Sequence, residues 1–190
     1  MNKKLFLLPI LILTFAAFVF AQTKSNDAIE KQIKTLKVEK TITLSYDESG
    51  GTSKIFVIGE DFGREQNKRA GLDGFSFGMA FFYPGKTLNA APDTIALTFW
   101  AQSKKPKFTE SHNLTIFASG ETLDLGDARY LSRQAEKTEY LNFKISRENL
   151  IKIAKADSAK LKIGNAEFQL TPEHLRIFAA LVKISDPAEL

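Results

Sequence analysis

The feature that most constrains this chain is the spacing of its apolar residues. Between residues 38 and 146, apolar and polar side chains alternate in short runs such as TITLSY, KIFVIG, IALTFWAQ and TEYLNFKIS. Turn-forming stretches such as DESGG, PG and SG separate several of these runs. Alternation with a period of two is typical of β-strands, and short turns join antiparallel neighbours. The central part of the chain is therefore predicted to be β-sheet.

Helical spacing is clearest near the C-terminal end. Ser146 is placed to cap a helix over RENLIKIAKA, and Thr171-Pro172 is placed to begin the last helix. Between them, SAKLKIGNAEFQL is predicted to form a hairpin around Gly164-Asn165. Strands and helices do not alternate as they do in a parallel sheet. We therefore predict a mainly β, α+β fold, an antiparallel β-sandwich or strongly bent sheet of about 8–10 short strands with one or two C-terminal helices.

The first 21 residues have the pattern of a secretory signal peptide. Two lysines precede an apolar run, which is shorter than the roughly 20 residues that span a bilayer, and Ala21 ends the predicted cleavage motif. No second apolar run follows. We therefore predict a periplasmic or extracellular protein with no membrane span after cleavage. Its predicted parts are a signal peptide over 1–21, a polar N-terminal arm or short helix over 22–37 and one globular β-rich domain over 38–190.

Composition excludes several classes of site. The chain has no cysteine, which excludes disulfides, thiolate nucleophiles and thiolate metal ligands, and favours a bacterial envelope protein. Its net charge is +4, but two of its 26 basic residues lie in the predicted leader. The remaining chain is nearly neutral, with both signs interspersed, so we expect no nucleic-acid binding.

The sequence contains few groups suited to catalysis. Its two histidines, His112 and His174, are far apart in the chain, and no Gly-x-Ser-x-Gly motif is present. Neither histidine has the spacing of a zinc site, and no calcium-binding loop motif occurs. A hydrolase could use two carboxylates alone for catalysis. No motif identifies such a pair among the 22 acids of the chain. We expect no metal and no cofactor, and we favour a non-catalytic role while leaving enzymatic activity open.

The stretch GFSFGMAFFYPG, residues 74–85, is predicted to be a strand at the centre of the fold. Alternation places one set of large side chains on one side: Phe75, Phe77, Met79, Phe81 and Tyr83. The other side is mostly small, which would let a second layer approach closely. We favour a buried core strand, because phenylalanine and methionine are commonly buried. The alternative is a stacking surface for a ligand, for which Tyr83 is the best candidate.

Trp100 is predicted to lie on the opposite face of its strand from Ile95, Leu97 and Phe99. Two environments fit this position. Either a helix covers that face, or Trp100 is partly exposed beside polar groups and is available to a ligand. We favour the covered environment, since tryptophan is highly buried on average.

Two polar connections carry clusters of cations. These clusters are Arg64, Lys68 and Arg69 in one connection and Lys104, Lys105 and Lys107 in the other. If they meet at one end of the sheet, they would form a cationic rim for an envelope protein, an anionic glycan or a lipid head group. The alternative is two solvated loops that only maintain solubility.

Three functions remain open from the sequence. The first is a secreted or periplasmic binding module that uses its polar loops. The second is a small envelope hydrolase, which would need two carboxylates in one concave pocket. The third is an accessory subunit that pairs with a partner through a long, uncharged edge strand.

Overall fold

A computed structural model describes residues 23–189, so the predicted signal peptide lies outside the described residues. The strands are β1 (Lys24–Ser25), β2 (Ile42–Asp47), β3 (Thr52–Ile58), β4 (Gly74–Pro84), β5 (Thr87–Leu88), β6 (Thr94–Gln102), β7 (Asn113–Ala118), β8 (Glu121–Asp127), β9 (Arg129–Arg133), β10 (Thr138–Ser146), β11 (Ala159–Ile163) and β12 (Ala166–Gln169). The helices are α1 (Asn26–Thr35), α2 (Arg64–Ala70), α3 (Arg147–Ala154) and α4 (Pro172–Ile184).

The strands form two main antiparallel sheets. The larger sheet has six strands in the order β2-β3-β4-β6-β10-β9, and the smaller has four in the order β12-β11-β7-β8. The short strands β1 and β5 pair with each other. Strand makes up 44% of the described residues and helix 25%, so the predicted β-rich α+β class is confirmed. The runs GFSFGMAFFY and IALTFWAQ form the two central strands of the larger sheet, β4 and β6.

One face of the six-stranded sheet builds the core. The side chains predicted to share the inner side of β4 are all buried there. Phe75 stacks on Phe168 of β12 at a centroid distance of 4.2 Å, and Phe77 lies 5.4 Å from Phe178 of α4. The smaller sheet and α4 therefore cover this face together, and α1 adds the buried residues Ile29 and Ile33.

Local sequence signals explain several elements. Ser146 accepts a hydrogen bond from the Asn149 amide and caps α3, and Thr171 accepts one from the His174 amide and caps α4. The predicted hairpin forms around Gly164-Asn165, with Leu161 opposite Phe168 and Ile163 opposite Ala166.

Helix α2 is absent from the sequence prediction, which treats residues 60–74 as a polar connection. Its seven residues are too few to show an apolar period, and only Asn67 is buried. Gly71 ends the helix in the left-handed conformation, where glycine carries no side-chain penalty. At the N-terminal end of the chain, the alternative of a short helix within residues 22–37 is the one observed, as α1.

Candidate functional site

The outer face of the six-stranded sheet is open. We call this surface the open face. The strand register places one set of side chains on this side of the sheet. The set includes Thr43, Ser45, Asp47, Lys54, Phe56, Ile58, Ser76, Gly78, Ala80, Phe82, Ala96, Thr98, Trp100, Arg129, Leu131, Arg133, Tyr140, Asn142 and Lys144. All of them except Gly78 are exposed or partly exposed. No second layer covers this side within residues 23–189.

The open face collects the large exposed apolar side chains of the described residues. These are Ile58, Phe82 and Leu131, which are 54%, 61% and 49% exposed. Single exposed apolar residues are normal on any protein, but a group on one face is informative. Phe56, Trp100 and Tyr140 lie half-buried on the same face. The face therefore presents apolar and aromatic side chains to solvent among its polar ones.

Trp100 lies across the middle of the open face. A Cβ atom added at Gly78 would lie 2.2 Å from the Cη2 atom of the Trp100 ring, so the ring covers the glycine on the neighbouring strand. On its other side Trp100 is opposite Tyr140, whose hydroxyl donates to Glu136 at 3.1 Å. The Arg133 guanidinium lies 5.3 Å from the Tyr140 ring centroid. These contacts fix two aromatic side chains next to each other at the surface.

The open face is also cationic. Its strand residues include four cations, Lys54, Lys144, Arg129 and Arg133, and one acid, Asp47. A second acid beside the face, Glu136, pairs with Arg133 at 3.2 Å. The Lys54 ammonium lies 4.7 Å from the Phe56 ring centroid and 5.6 Å from that of Phe82. The ring faces attract the ammonium group, while the lysine stem packs on apolar surface and the charge stays near water.

Two expectations from the sequence are corrected on this face. No part of residues 23–189 forms the expected second layer over the small side of β4, and Phe82 is exposed there. The expected helix over Trp100 is likewise not found in the described part of the chain, and Trp100 is partly exposed beside Thr98 and Asn142. The physical reason is that the smaller sheet and the helices of the described chain pack on the inner face of the six-stranded sheet. Its outer face therefore faces solvent.

Tyr83 lies on the inner side of β4 and not on the surface. It is 5% exposed, and its hydroxyl donates to Asn26 Oδ1 at 2.5 Å. Burial raises the pKa of the Tyr83 phenol, with partial compensation from Ser53. Tyr83 therefore joins α1 to the sheet from within the core.

The two cation clusters meet only in part in the structure. Arg69 and Lys107 line a cleft of about 830 Å³, which we call the β12 cleft because the edge of β12 forms one wall. Lys104 and Lys105 line a second cleft of about 350 Å³ with Lys137. The remaining two cations, Arg64 and Lys68, are exposed on α2. The structure thus brings one cation of each cluster, Arg69 and Lys107, to the same cleft and places the other four elsewhere.

A buried carboxylate positions the loop that carries Lys107. Glu139 is 2% exposed and accepts hydrogen bonds from the amides of Lys107 and Phe108 at 2.8 and 2.9 Å. It also accepts one from the Tyr130 hydroxyl at 2.9 Å. The sequence contains a signal for this residue that the prediction missed, because alternation in TEYLNFKIS places Glu139 on the apolar side with Leu141.

The structure contains little that resembles a hydrolase centre. Glu110 and Glu167 both line the β12 cleft, but both are exposed, and Glu167 pairs with Lys160 at 3.3 Å. A carboxylic acid that donates a proton usually lies in an apolar pocket. His174 is fully buried, and its Nδ1 accepts from the Thr171 amide. Residues 23–189 contain no group of three metal-ligating side chains.

Within the described part of the chain, no helix is long and apolar enough to cross a membrane. Comparison with known proteins gives no relative: no protein-family model, no curated protein and no solved structure matches the chain.

Proposed function

We propose that this protein is an exported, non-catalytic binding module that docks an acidic protein partner on its open face. The observation that carries the proposal is that the exposed residues Ile58, Phe82 and Leu131 lie on the same uncovered face of the sheet as Trp100 and Tyr140. Exposed apolar patches of this kind mark interaction sites in soluble proteins. Tryptophan, tyrosine and arginine are the residue types that contribute most often to binding energy at protein interfaces.

The shape of the surface favours a macromolecule over a small ligand. Small molecules bind in concave sites that enclose most of their surface. The open face is instead one layer of a sheet, about 24 Å across its six strands and about 30 Å along the nine residues of β6. The resulting area of about 700 Å² is close to the roughly 800 Å² that each partner contributes to a standard protein interface.

The charge of the open face selects the kind of partner. Four cations against two acids, Asp47 and Glu136, make it attractive to a surface with an apolar centre and an acidic rim. A second copy of the same face would bring the same four cations opposite one another, which is unfavourable. We therefore infer a different protein as the partner rather than self-association.

Export is part of the proposal and rests on the leader pattern in residues 1–21. It places the interaction in the periplasm or outside the cell. The polar loops, which the sequence favours as the binding surface, have four of their six cations divided between two clefts. The open face has the exposed apolar side chains Ile58, Phe82 and Leu131, so we assign the main docking role to it.

The proposal is tested by photo-crosslinking in the native cells. A photoreactive amino acid is placed at Phe82 or at Leu131, which lie on β4 and on the edge strand β9. The control position is Thr122, an exposed residue on β8 of the smaller sheet. We expect one and the same protein to be crosslinked from both open-face positions and not from Thr122.

Three outcomes would contradict the proposed function. These are no adduct from either open-face position, an equal adduct from Thr122, or an adduct only with a second copy of the chain. An envelope glycan crosslinked from positions 82 and 131 would also contradict the proposal, because the ligand would then be a glycan and not a protein. The identified protein should in addition bind purified material, with an affinity that falls as salt concentration rises.

A further inference from the structure

The β12 cleft contains an unpaired strand edge. Strand β12 is the outermost strand of the smaller sheet, and residues from Asn165 to Gln169 form one wall of the cleft. The other walls are α2 and the loop between β6 and β7. This surface is separate from the open face, so the inference below does not depend on the proposed function.

The backbone N–H and C=O groups of Glu167 point outward from this edge. In the hairpin, the Leu170 amide donates to the Ala159 carbonyl, so the even-numbered residues of β12 face β11. Glu167 and Gln169 therefore direct their N–H and C=O groups away from the sheet. Within residues 23–189, the backbone groups of Glu167 have no hydrogen-bond partner. They are available to another chain.

A side chain already imitates a neighbouring strand at Gln169. The Gln66 Oε1 atom of α2 accepts from the Gln169 amide at 2.5 Å, and the Gln66 Nε2 atom donates to the Gln169 carbonyl at 3.2 Å. This is the pair of hydrogen bonds that a strand residue would make. Gln66 therefore satisfies the outward backbone groups of Gln169 but not those of Glu167, the other outward residue of β12.

The charges around the edge define the segment it would accept. Arg69, Lys107, Lys160 and Lys162 line the cleft, against the acids Glu110 and Glu167. An acidic segment gains from this excess of cations. A second copy of β12 would bring the same cations with it, so the cleft disfavours an edge-to-edge dimer.

We infer that the β12 cleft binds a short, extended, acidic peptide segment that adds a strand to the edge of β12. Main-chain hydrogen bonds to Glu167 supply the pairing, and the surrounding cations select the acidic sequence. A segment long enough to reach Gln169 displaces the Gln66 side chain. This mode differs from the long uncharged edge considered from the sequence, because β12 has only four residues and carries charged neighbours.

The test begins with selection from a random library of 12-residue peptides displayed on phage, with the purified protein as bait. We expect the enriched peptides to be acidic. A selected peptide should protect the Glu167 amide from hydrogen exchange and shift the side-chain amide signals of Gln66. Substitution Lys107→Glu should weaken binding of the same peptide at least tenfold, because it reverses one of the four cations.

A proline variant separates strand pairing from simple charge attraction. Glu167→Pro removes the outward N–H but none of the bonds between β11 and β12, and edge strands tolerate proline. The matched control is Thr122→Pro, which removes an outward N–H at the equivalent position after the turn, on the other free edge of the same sheet. We expect Glu167→Pro to weaken peptide binding about tenfold or more and Thr122→Pro to leave it unchanged.

Failure to enrich any peptide would overturn the inference, as would enrichment of peptides that are not acidic. Equal binding to both proline variants would also overturn it. If Glu167→Pro fails to fold, hydrogen exchange of the Glu167 amide in the unaltered protein tests strand addition instead. Unchanged exchange with the peptide bound would exclude strand addition.

Discussion

Gly78 is the residue on which the arrangement of the open face depends most. The Trp100 ring occupies the space above it, and the Val57 carbonyl lies 2.9 Å from the position of an added Cβ atom. One neighbour is a rigid ring and the other is backbone, so neither can move aside easily. Glycine is therefore required here by close approach, and not by its backbone angles.

We expect Gly78→Ala to displace Trp100 and to destabilise the fold by about 1–3 kcal/mol, because the added methyl group overpacks this contact. Trp100 is the single tryptophan of the chain, so its fluorescence reports the displacement directly. The control is Ala80→Ser on the same strand and face, which should change neither the emission nor the stability by much. Unchanged emission and stability in Gly78→Ala would contradict the close contact.

His174 should make stability depend on pH. Burial lowers the pKa of His174 below its ordinary value of 6.5, and nearby Glu60 opposes this only in part. The unfolded chain therefore takes up a proton at a higher pH than the native protein does. The contribution of the neutral side chain is fully present above pH 6.5 and is lost as the pH falls toward the lower native pKa.

We test this with His174→Gln, which cannot titrate. Free energies of unfolding are measured with denaturant at pH values from 7.5 to 5 for both proteins. We expect the unaltered protein to lose more stability than His174→Gln over this range. The acids of the chain act equally in both proteins, so their effect cancels in the comparison. Parallel curves would contradict the assignment.

At the scale of elements, the loop between β6 and β7 depends on one buried carboxylate. Replacing Glu139 by alanine leaves the amides of Lys107 and Phe108 and the Tyr130 hydroxyl without their acceptor. We expect a loss of about 2–4 kcal/mol in the free energy of unfolding, because unsatisfied buried donors are costly. The control is Glu136→Ala, whose exposed ion pair with Arg133 should contribute less than about 1 kcal/mol. Equal losses in the two variants would contradict this anchoring role.

The elements that could be predicted are those whose pattern is complete in the sequence. The hairpin around Gly164-Asn165 has alternating side chains and its own turn residues, so even its pairing could be predicted. The two capped C-terminal helices have comparable local signals. Helix α2 could not be predicted, because its packing depends on Gln66 contacting the distant residue Gln169 and on Asn67 bonding to Asp61 in the preceding loop.

The candidate site was harder to predict than the fold, for a physical reason. Strands β4 and β6 carry aromatic side chains on both faces, and alternation does not distinguish the covered face from the open one. Trp100 was among the candidates, but Phe56, Phe82 and Tyr140 lie on three other strands. Only the order of strands in the sheet brings them together.

At the scale of the whole molecule, charge is unevenly distributed. The chain without its predicted leader is nearly neutral, yet the open face has four cations against two acids, Asp47 and Glu136. We expect the double substitution Lys54→Glu and Lys144→Glu to weaken crosslinking from position 82 strongly, because it reverses the charge that attracts the partner. Stability should change by less than about 1 kcal/mol, since surface charges contribute little.

The control for this charge reversal is Lys155→Glu, an exposed substitution at the end of α3, away from the open face. It should leave the adduct from position 82 at its original yield. An equal loss from the control would show a general effect of protein charge. An unchanged adduct in the double variant would contradict the inferred acidic rim of the partner.

The most direct test of the central claim compares surface accessibility inside and outside the cell. Hydroxyl-radical footprinting measures side-chain oxidation in the purified protein and in intact native cells. Phe117 is the internal control, because it is a half-buried aromatic residue with a lysine, Lys160, 5.0 Å from its ring centroid, on the outer face of the smaller sheet. We predict that Phe82 and Trp100 are protected in cells, whereas Phe117 is oxidised equally in both samples. Equal oxidation of all three residues in the two samples would contradict the claim that the open face is a docking surface.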